Sequence, residues 1–218
     1  MTTDPHAGGS VLRAGVPLPQ ASFAALLLHG RGGSAEDILQ LAGEFELPDF
    51  AFVAPEARDH IWYPRPFLSP REANEPYLSS ALAKVASVIA WLEQTGIPRR
   101  HIVVGGFSQG ACLATEFVAS HPARYGGLIA FTGGLIGPPG AVRDDLLRSA
   151  EAPLAGTPAL LCSGDPDPYI PWSRVEESAE ILSALGARVT TKRYPGRPHT
   201  VSREELQLAQ SFLAAIRQ

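Results

Sequence analysis

Residues 103–114 read VVGGFSQGACLA, a strand-like apolar run that stops at two glycines, presents one serine among further glycines, and then turns helical. Inside regular structure glycine costs about 0.5–1 kcal/mol relative to alanine, so Gly106 and Gly110 mark places where the backbone needs freedom or closeness. Gly106-Phe107-Ser108-Gln109-Gly110 fits the Gly-x-Ser-x-Gly elbow, in which a sharp strand-to-helix turn exposes a serine hydroxyl at a helix N-terminus. The dipoles there favour developing negative charge. Such a pentapeptide carries weight only with a strand before it and a helix after it. Ile102-Val103-Val104 supplies the first and Gln109 to Ser120 the second.

The rest of the chain repeats this alternation. Phe23 to Leu28 is a continuous apolar run, as a strand buried on both faces requires, and Phe50–Val53, His101–Val104, Gly127–Phe131, Ala159–Cys162 and Arg188–Arg193 are further strand candidates. Helical spacing marks Ala35–Phe45, Tyr77–Thr95, Gln109–Ser120, Arg174–Leu185 and Arg203–Arg217. Ser34 with Asp37, and Ser202 with Glu205, have the form of helix starts. The expected fold is α/β, with a mostly parallel central sheet, helices on both faces and no large cap domain. One domain is expected over residues 1–218. Two irregular stretches, 54–76 and 133–153, fall where loops line a ligand site beyond the carboxyl ends of strands; the second is expected to hold a short helix at Val142–Arg148.

Composition narrows the partners. A 45% hydrophobic and 18% charged chain of net charge −4, with scattered Lys and Arg, offers nucleic acid no basic face. No apolar stretch is long enough to span a bilayer, and the N-terminus lacks the pattern of a signal peptide, so the expected location is cytoplasmic. Cys112 and Cys162 sit in apolar segments and are read as buried thiols; no cysteine pair has metal-ligand spacing.

A serine nucleophile needs a base and an acid, which the elbow template places later in the chain, acid first. Only His121 and His199 follow Ser108. His121 closes the helix that Ser108 opens, which suits a C-terminal dipole partner. His199 lies in a loop between the last strand and the last helix and is the expected base. After Ala159–Cys162 comes Ser163-Gly164-Asp165-Pro166-Asp167-Pro168, with two candidate acids. Asp165 is expected to organise the turn through its own backbone, which favours Asp167. The oxyanion donors are expected to be the backbone N–H of Gln109 and that of Arg31, in the glycine-rich loop His29-Gly30-Arg31-Gly32-Gly33. That loop lacks the Gly-Lys-Ser/Thr ending of a phosphate loop, and His29 is read as its structural anchor.

The blocks LLLHGRGGSAEDIL, GGFSQGACLA, GDPDPYIP and GRPHTVSREEL, in this order across nearly the whole chain, resemble the phospholipase/carboxylesterase family of the α/β hydrolases, which includes acyl-protein thioesterases. The resemblance implies Ser108, Asp167 and His199 as a catalytic triad with Arg31 and Gln109 as oxyanion donors, and it implies no cofactor and no metal. Trp62-Tyr63-Pro64 with Asn74-Glu75-Pro76-Tyr77 resembles the bacterial branch of small esterases. Family thioesterases carry a longer apolar lid loop after the oxyanion strand. Here Gly33 runs almost directly into a helix, which turns the expectation toward short acyl or aryl esters, with thioesters alongside. Trp62, Phe67, Leu135 and Trp172 are expected to line the substrate pocket, with Tyr169 nearby. The expected partner is a small-molecule ester, with a homodimer left open. Two other readings stand beside this one. A dienelactone-hydrolase-like enzyme would resemble this architecture but carry cysteine at the elbow, and a non-catalytic ligand-binding protein on the same fold would need no activated serine.

Overall fold

The computed structural model describes residues 4–140, 143–147 and 153–217. Strands β1 (Val11–Gly15), β2 (Phe23–Leu28), β3 (Phe50–Pro55), β4 (Ile102–Phe107), β5 (Gly127–Phe131), β6 (Pro158–Asp165) and β7 (Arg188–Pro195) form one sheet in the order β1-β3-β2-β4-β5-β6-β7. All neighbours are parallel except β1 and β3. The helices are α1 (Ala35–Gln40), α2 (Tyr77–Gln94), α3 (Gln109–Ser120), α4 (Asp144–Leu147), α5 (Trp172–Ala184) and α6 (Arg203–Ile216). The predicted helix over Val142–Arg148 is present as α4, while positions 142 and 148 lie outside the described residues.

The apolar strands read as continuous runs because alternate side chains serve two cores. Ala24, Leu26 and Leu28 of β2 join Leu78, Val85 and Ile89 of α2, Leu113 and Phe117 of α3 and Val175 of α5 on one face. Phe23, Ala25 and Leu27 join Ala35 and Ile38 of α1 with Ala209 and Leu213 of α6 on the other. Both capping boxes form: Ser34 accepts from the Asp37 N–H and Ser202 from that of Glu205, each carboxylate bonding back to its cap. The segment Leu41–Glu44, expected to continue α1, is a 3₁₀ turn instead, with Gly43 offering no side chain to hold the helix.

The chain runs outward from β2 to β3, then crosses back so that β4 lies on the other side of β2. The order of winding therefore changes between β2 and β4, where the loops following the two strands diverge and leave a crevice. Leu28 is paired with Gly106, so the His29–Gly33 loop and the Ser108 turn leave the sheet side by side. Gly106 and Gly110 permit the closeness. A Cβ on Gly106 would lie 2.5 Å from the Leu28 carbonyl oxygen, and one on Gly110 would press into the same carbonyl and lie 2.6 Å from that of His29. These are backbone atoms, which cannot swing aside.

Gly110→Ala is therefore expected to lower stability by about 1–3 kcal/mol, as overpacking does. Gly43→Ala, at an exposed site where a Cβ meets nothing within 4 Å, stays within about 0.5 kcal/mol of the parent. Urea midpoints for the two variants check the contrast; equal midpoints would refute it.

Candidate active site

Ser108 sits between β4 and α3 at φ 53° and ψ −117°, left-handed backbone that a non-glycine residue adopts only when its surroundings enforce it. Its N–H is held by the Phe131 carbonyl at the end of β5 (3.0 Å), and its own carbonyl accepts from the Cys112 N–H inside α3 (3.0 Å). The hydroxyl points toward the loop after β7.

That loop carries His199. Its Nε2 lies 2.9 Å from Ser108 Oγ, and its Nδ1 lies 2.8 Å from Asp167 Oδ2. A carboxylate only accepts, so Nδ1 carries the proton and Nε2 is left to accept from the serine hydroxyl. The imidazole packs between the rings of Phe107 (5.1 Å between centroids) and Tyr169 (4.9 Å) and is 18% exposed. The Asp167 side chain is fully buried. Its second oxygen, Oδ1, accepts from the N–H groups of Tyr169 and Ile170, both at 2.9 Å, so the carboxylate is oriented from behind as well as from the front. The turn expected to be organised by Asp165 is thus organised by Asp167. Asp165 instead closes the end of β6 on β7, its carboxylate paired with Arg193 and its carbonyl accepting from the Gly196 N–H.

The oxyanion candidates lie on the other side of the serine. The backbone N–H groups of Arg31 and Gln109 have no acceptor among the described residues. Their side chains are both tied to the backbone of the 62–65 segment. Gln109 donates from Nε2 to the Tyr63 carbonyl (2.8 Å) and accepts at Oε1 from the Trp62 N–H (2.9 Å). Arg31 donates from Nη2 to the same Tyr63 carbonyl (2.7 Å) and to that of Arg65 (3.2 Å). One peptide carbonyl thereby ties the loop after β2 to the turn after β4. This use of the Gln109 side chain had no sequence signal, since only its main chain belongs to the elbow pattern.

Two buried histidines brace the same segment. His29 accepts at Nε2 from the Ala57 N–H (3.2 Å), so its Nδ1 proton goes to the Gly30 carbonyl (2.8 Å). His6 accepts at Nδ1 from the Arg58 N–H (3.1 Å), so Nε2 donates to the Trp62 carbonyl (3.0 Å). Burial lowers the pKa of both, outweighing the attraction of Glu56 for His29 and of Asp4 for His6. The expectation that His29 is structural matches this arrangement.

The expected pocket lining needs correction. Trp62 and Leu135 are 0% exposed, Phe67 is 7% exposed, and all three belong to the core. The physical reason for Trp62 is its indole N–H, which finds the His29 carbonyl at 2.9 Å while the ring packs on His29. Trp172 is half-buried and faces a groove beside Asp165, Asp167 and Arg193. Tyr169, 65% exposed, is the large apolar side chain left beside His199. Arg71 pairs with the fully buried Glu116 of α3, which Arg143 also grips through two hydrogen bonds (2.8 and 3.0 Å). Cys112 and Cys162 are free and buried, and burial pushes both thiols up to about 12. No group of His, Cys, Asp and Glu among the described residues has the arrangement of a metal site, and no described helix is long and apolar enough to cross a membrane.

A sheet wound in this order, with an elbow serine at its switch point, is the frame of the α/β hydrolases. Residues 17–217 match the sequence model of the phospholipase/carboxylesterase family, and the chain belongs to that family. A protein of Oryza sativa subsp. japonica named a probable carboxylesterase is 32% identical over 91% of this chain and 81% of its own length. Acyl-protein thioesterase 1 of Gibberella zeae is 33% identical over 55% of this chain, a match spanning about half (49%) of that relative. The crystal structure of a phospholipase/carboxylesterase from Dyadobacter fermentans superposes with a TM-score of 0.89 at 42% identity, covering 95% of this chain and 97% of that one. The chain is a carboxylic ester hydrolase, with esterase or thioesterase activity as its reaction class.

The neutral histidines generate a pH dependence of stability. Their folded pKa values lie below the ordinary value of 6.5, so the unfolded chain binds protons more readily. Stability is full above about pH 6.5 and falls as the pH drops through that value, by up to about 1.4 kcal/mol per pH unit for each histidine. Urea midpoints at about pH 7.5 and about pH 5.5 should differ in that direction, and His6→Gln should shrink the difference. An unchanged difference in His6→Gln would rule His6 out as a source.

Proposed function

We propose that this chain, as a single α/β-hydrolase domain, hydrolyses small carboxylic esters, and thioesters of similar size, through an acyl-enzyme formed on Ser108. The observation that carries the reading is the His199 imidazole bonded at one nitrogen to Ser108 Oγ (2.9 Å) and at the other to the buried Asp167 carboxylate (2.8 Å). In the first half-reaction Ser108 Oγ attacks the ester carbonyl carbon while its proton moves to His199 Nε2. The carbonyl π electrons move onto oxygen, and the N–H groups of Arg31 and Gln109 donate to that oxyanion. Asp167 keeps the ring in the Nδ1–H tautomer and stabilises the imidazolium. Collapse breaks the bond to the alcohol or thiol, which leaves with the proton from Nε2. Water then attacks the acyl-enzyme, giving its proton to Nε2, and the second collapse releases the acid as Ser108 recovers its hydrogen.

The size preference rests on burial. Trp62, Tyr63, Leu135 and Ile136 are packed in the core, so these four offer a long acyl chain no exposed apolar wall. His199 is bordered by Phe107 and Tyr169, and the exposed Arg31 loop leaves the sheet beside the Ser108 turn. Serine at position 108 favours this reading over a lactone hydrolase of the cysteine-elbow type.

Ser108→Ala should cut turnover of p-nitrophenyl acetate by about a thousandfold or more while the circular dichroism spectrum stays that of the parent. Undiminished turnover would end the proposal. Across p-nitrophenyl esters from acetate to palmitate, kcat/KM should be highest for the short acyl groups. A rate that climbs to palmitate would overturn the size preference and leave the triad standing.

A further inference from the structure

The His199 loop is held by a buried ion pair that the reaction itself does not use. Arg197, two residues before His199, has a side chain 8% exposed, and its Nη2 lies 3.2 Å from Oε1 of the fully buried Glu205. The same nitrogen donates to Thr132 Oγ1 at 2.9 Å. Glu205 is the third residue of α6 and spends its other oxygen on the Ser202 N–H (2.8 Å), so one carboxylate closes the helix start and takes the arginine from the loop ahead of it. Residues 197 and 205 thus clamp the segment containing His199 from both sides.

The third contact gives the clamp a target. Thr132 follows Phe131, whose carbonyl holds the Ser108 N–H (3.0 Å). Thr132 is itself fixed, at φ 58° with its N–H on the Cys162 carbonyl (2.6 Å). The nucleophile and the histidine loop are therefore both referenced to the last turn of β5. The acid loop is referenced to Arg197 too. A Cβ on Gly164 would run into the Arg197 carbonyl, so the main chain at 197 rests directly on the residue before Asp165.

We propose that Arg197, through Glu205 and Thr132, is a positioning residue that sets the His199 imidazole at bonding distance from Ser108. The proposal rests on His199 as the general base. Hydroxyl-to-imidazole transfer tolerates little misplacement, an error of about 1 Å being able to cost about a hundredfold in rate, whereas a ground-state contact to substrate is untouched by it. The signature is a loss in kcat with KM preserved.

The test measures kcat and KM per folded molecule for p-nitrophenyl acetate, with urea midpoints recorded separately. Arg197→Met should lower kcat by about ten- to a hundredfold with KM within about twofold. Thr132→Ala, which removes one hydroxyl and leaves the ion pair, should lower it by less. Arg197→Lys should recover part of the loss, because an ammonium keeps the charge without the planar fork. Where Arg197→Met fails to fold, the Arg197→Met/Glu205→Gln pair, which leaves no lone buried charge, carries the same expectation. Folded Thr132→Ala and paired variants with the parent kcat, or a loss confined to KM or to the urea midpoint, overturn the proposal. His199→Ala is run alongside. Its retaining activity would remove the base assignment, whereas its inactivity beside fully active Arg197 variants would remove the positioning role alone.

Discussion

The contact between the start of α3 and the end of β2 sets the terms for everything around it. At that crossing two glycines let helix backbone lie on the Leu28 and His29 carbonyls. The chain has only one residue, Ser108, in which to turn from strand into helix, and it makes the turn at positive φ. Backbone held in this way costs on the order of 1–3 kcal/mol, which the core around α3 supplies, since every residue of that helix except its last is buried. The result is a hydroxyl at the helix N-terminus that makes no cap bond to its own helix and meets His199 Nε2 instead.

Electrostatics complete what the backbone begins. Asp167 is removed from water yet accepts three hydrogen bonds, two from main-chain N–H groups and one from His199. A buried carboxylate satisfied in this way remains an acceptor and fixes the histidine tautomer. On the opposite side, the Tyr63 carbonyl receives both Gln109 and Arg31, and neutral His6 and His29 brace the chain leading up to it. Among the described residues the N–H groups of Arg31 and Gln109 have no acceptor, as the proposed oxyanion role requires.

How far the sequence could be read follows from the same physics. Internal strands announce themselves because both faces are buried, and Phe23–Leu28 is apolar throughout. Strand β1 went unread because Val11–Gly15 is a half-exposed edge that carries Arg13 and so lacks the apolar run, and its alternation, with Leu12 and Ala14 inward and Arg13 and Gly15 exposed, is too short to stand out. That Ser108, His199 and Asp167 would meet was legible because the elbow template calls for particular residue types in a particular chain order. The aromatic residues of the 54–76 segment were not, because a loop tryptophan looks the same whether it faces a pocket or the core. The difference lay in a partner, the His29 carbonyl, that sequence spacing cannot reveal. Glu116 is a similar case: a carboxylate on a buried helix face makes sense only once Arg143, far along the chain, closes on it.

The account's central claim is that Ser108 stands between a histidine that takes its proton and two main-chain donors that take the developing charge. The most direct measurement is the crystal structure of the chain after reaction with an organophosphorus fluoridate. The account predicts phosphorus bonded to Ser108 Oγ, with its phosphoryl oxygen about 2.7–3.1 Å from the nitrogens of both Arg31 and Gln109. Phosphorus on another side chain, or a phosphoryl oxygen turned away from those two nitrogens, would contradict it.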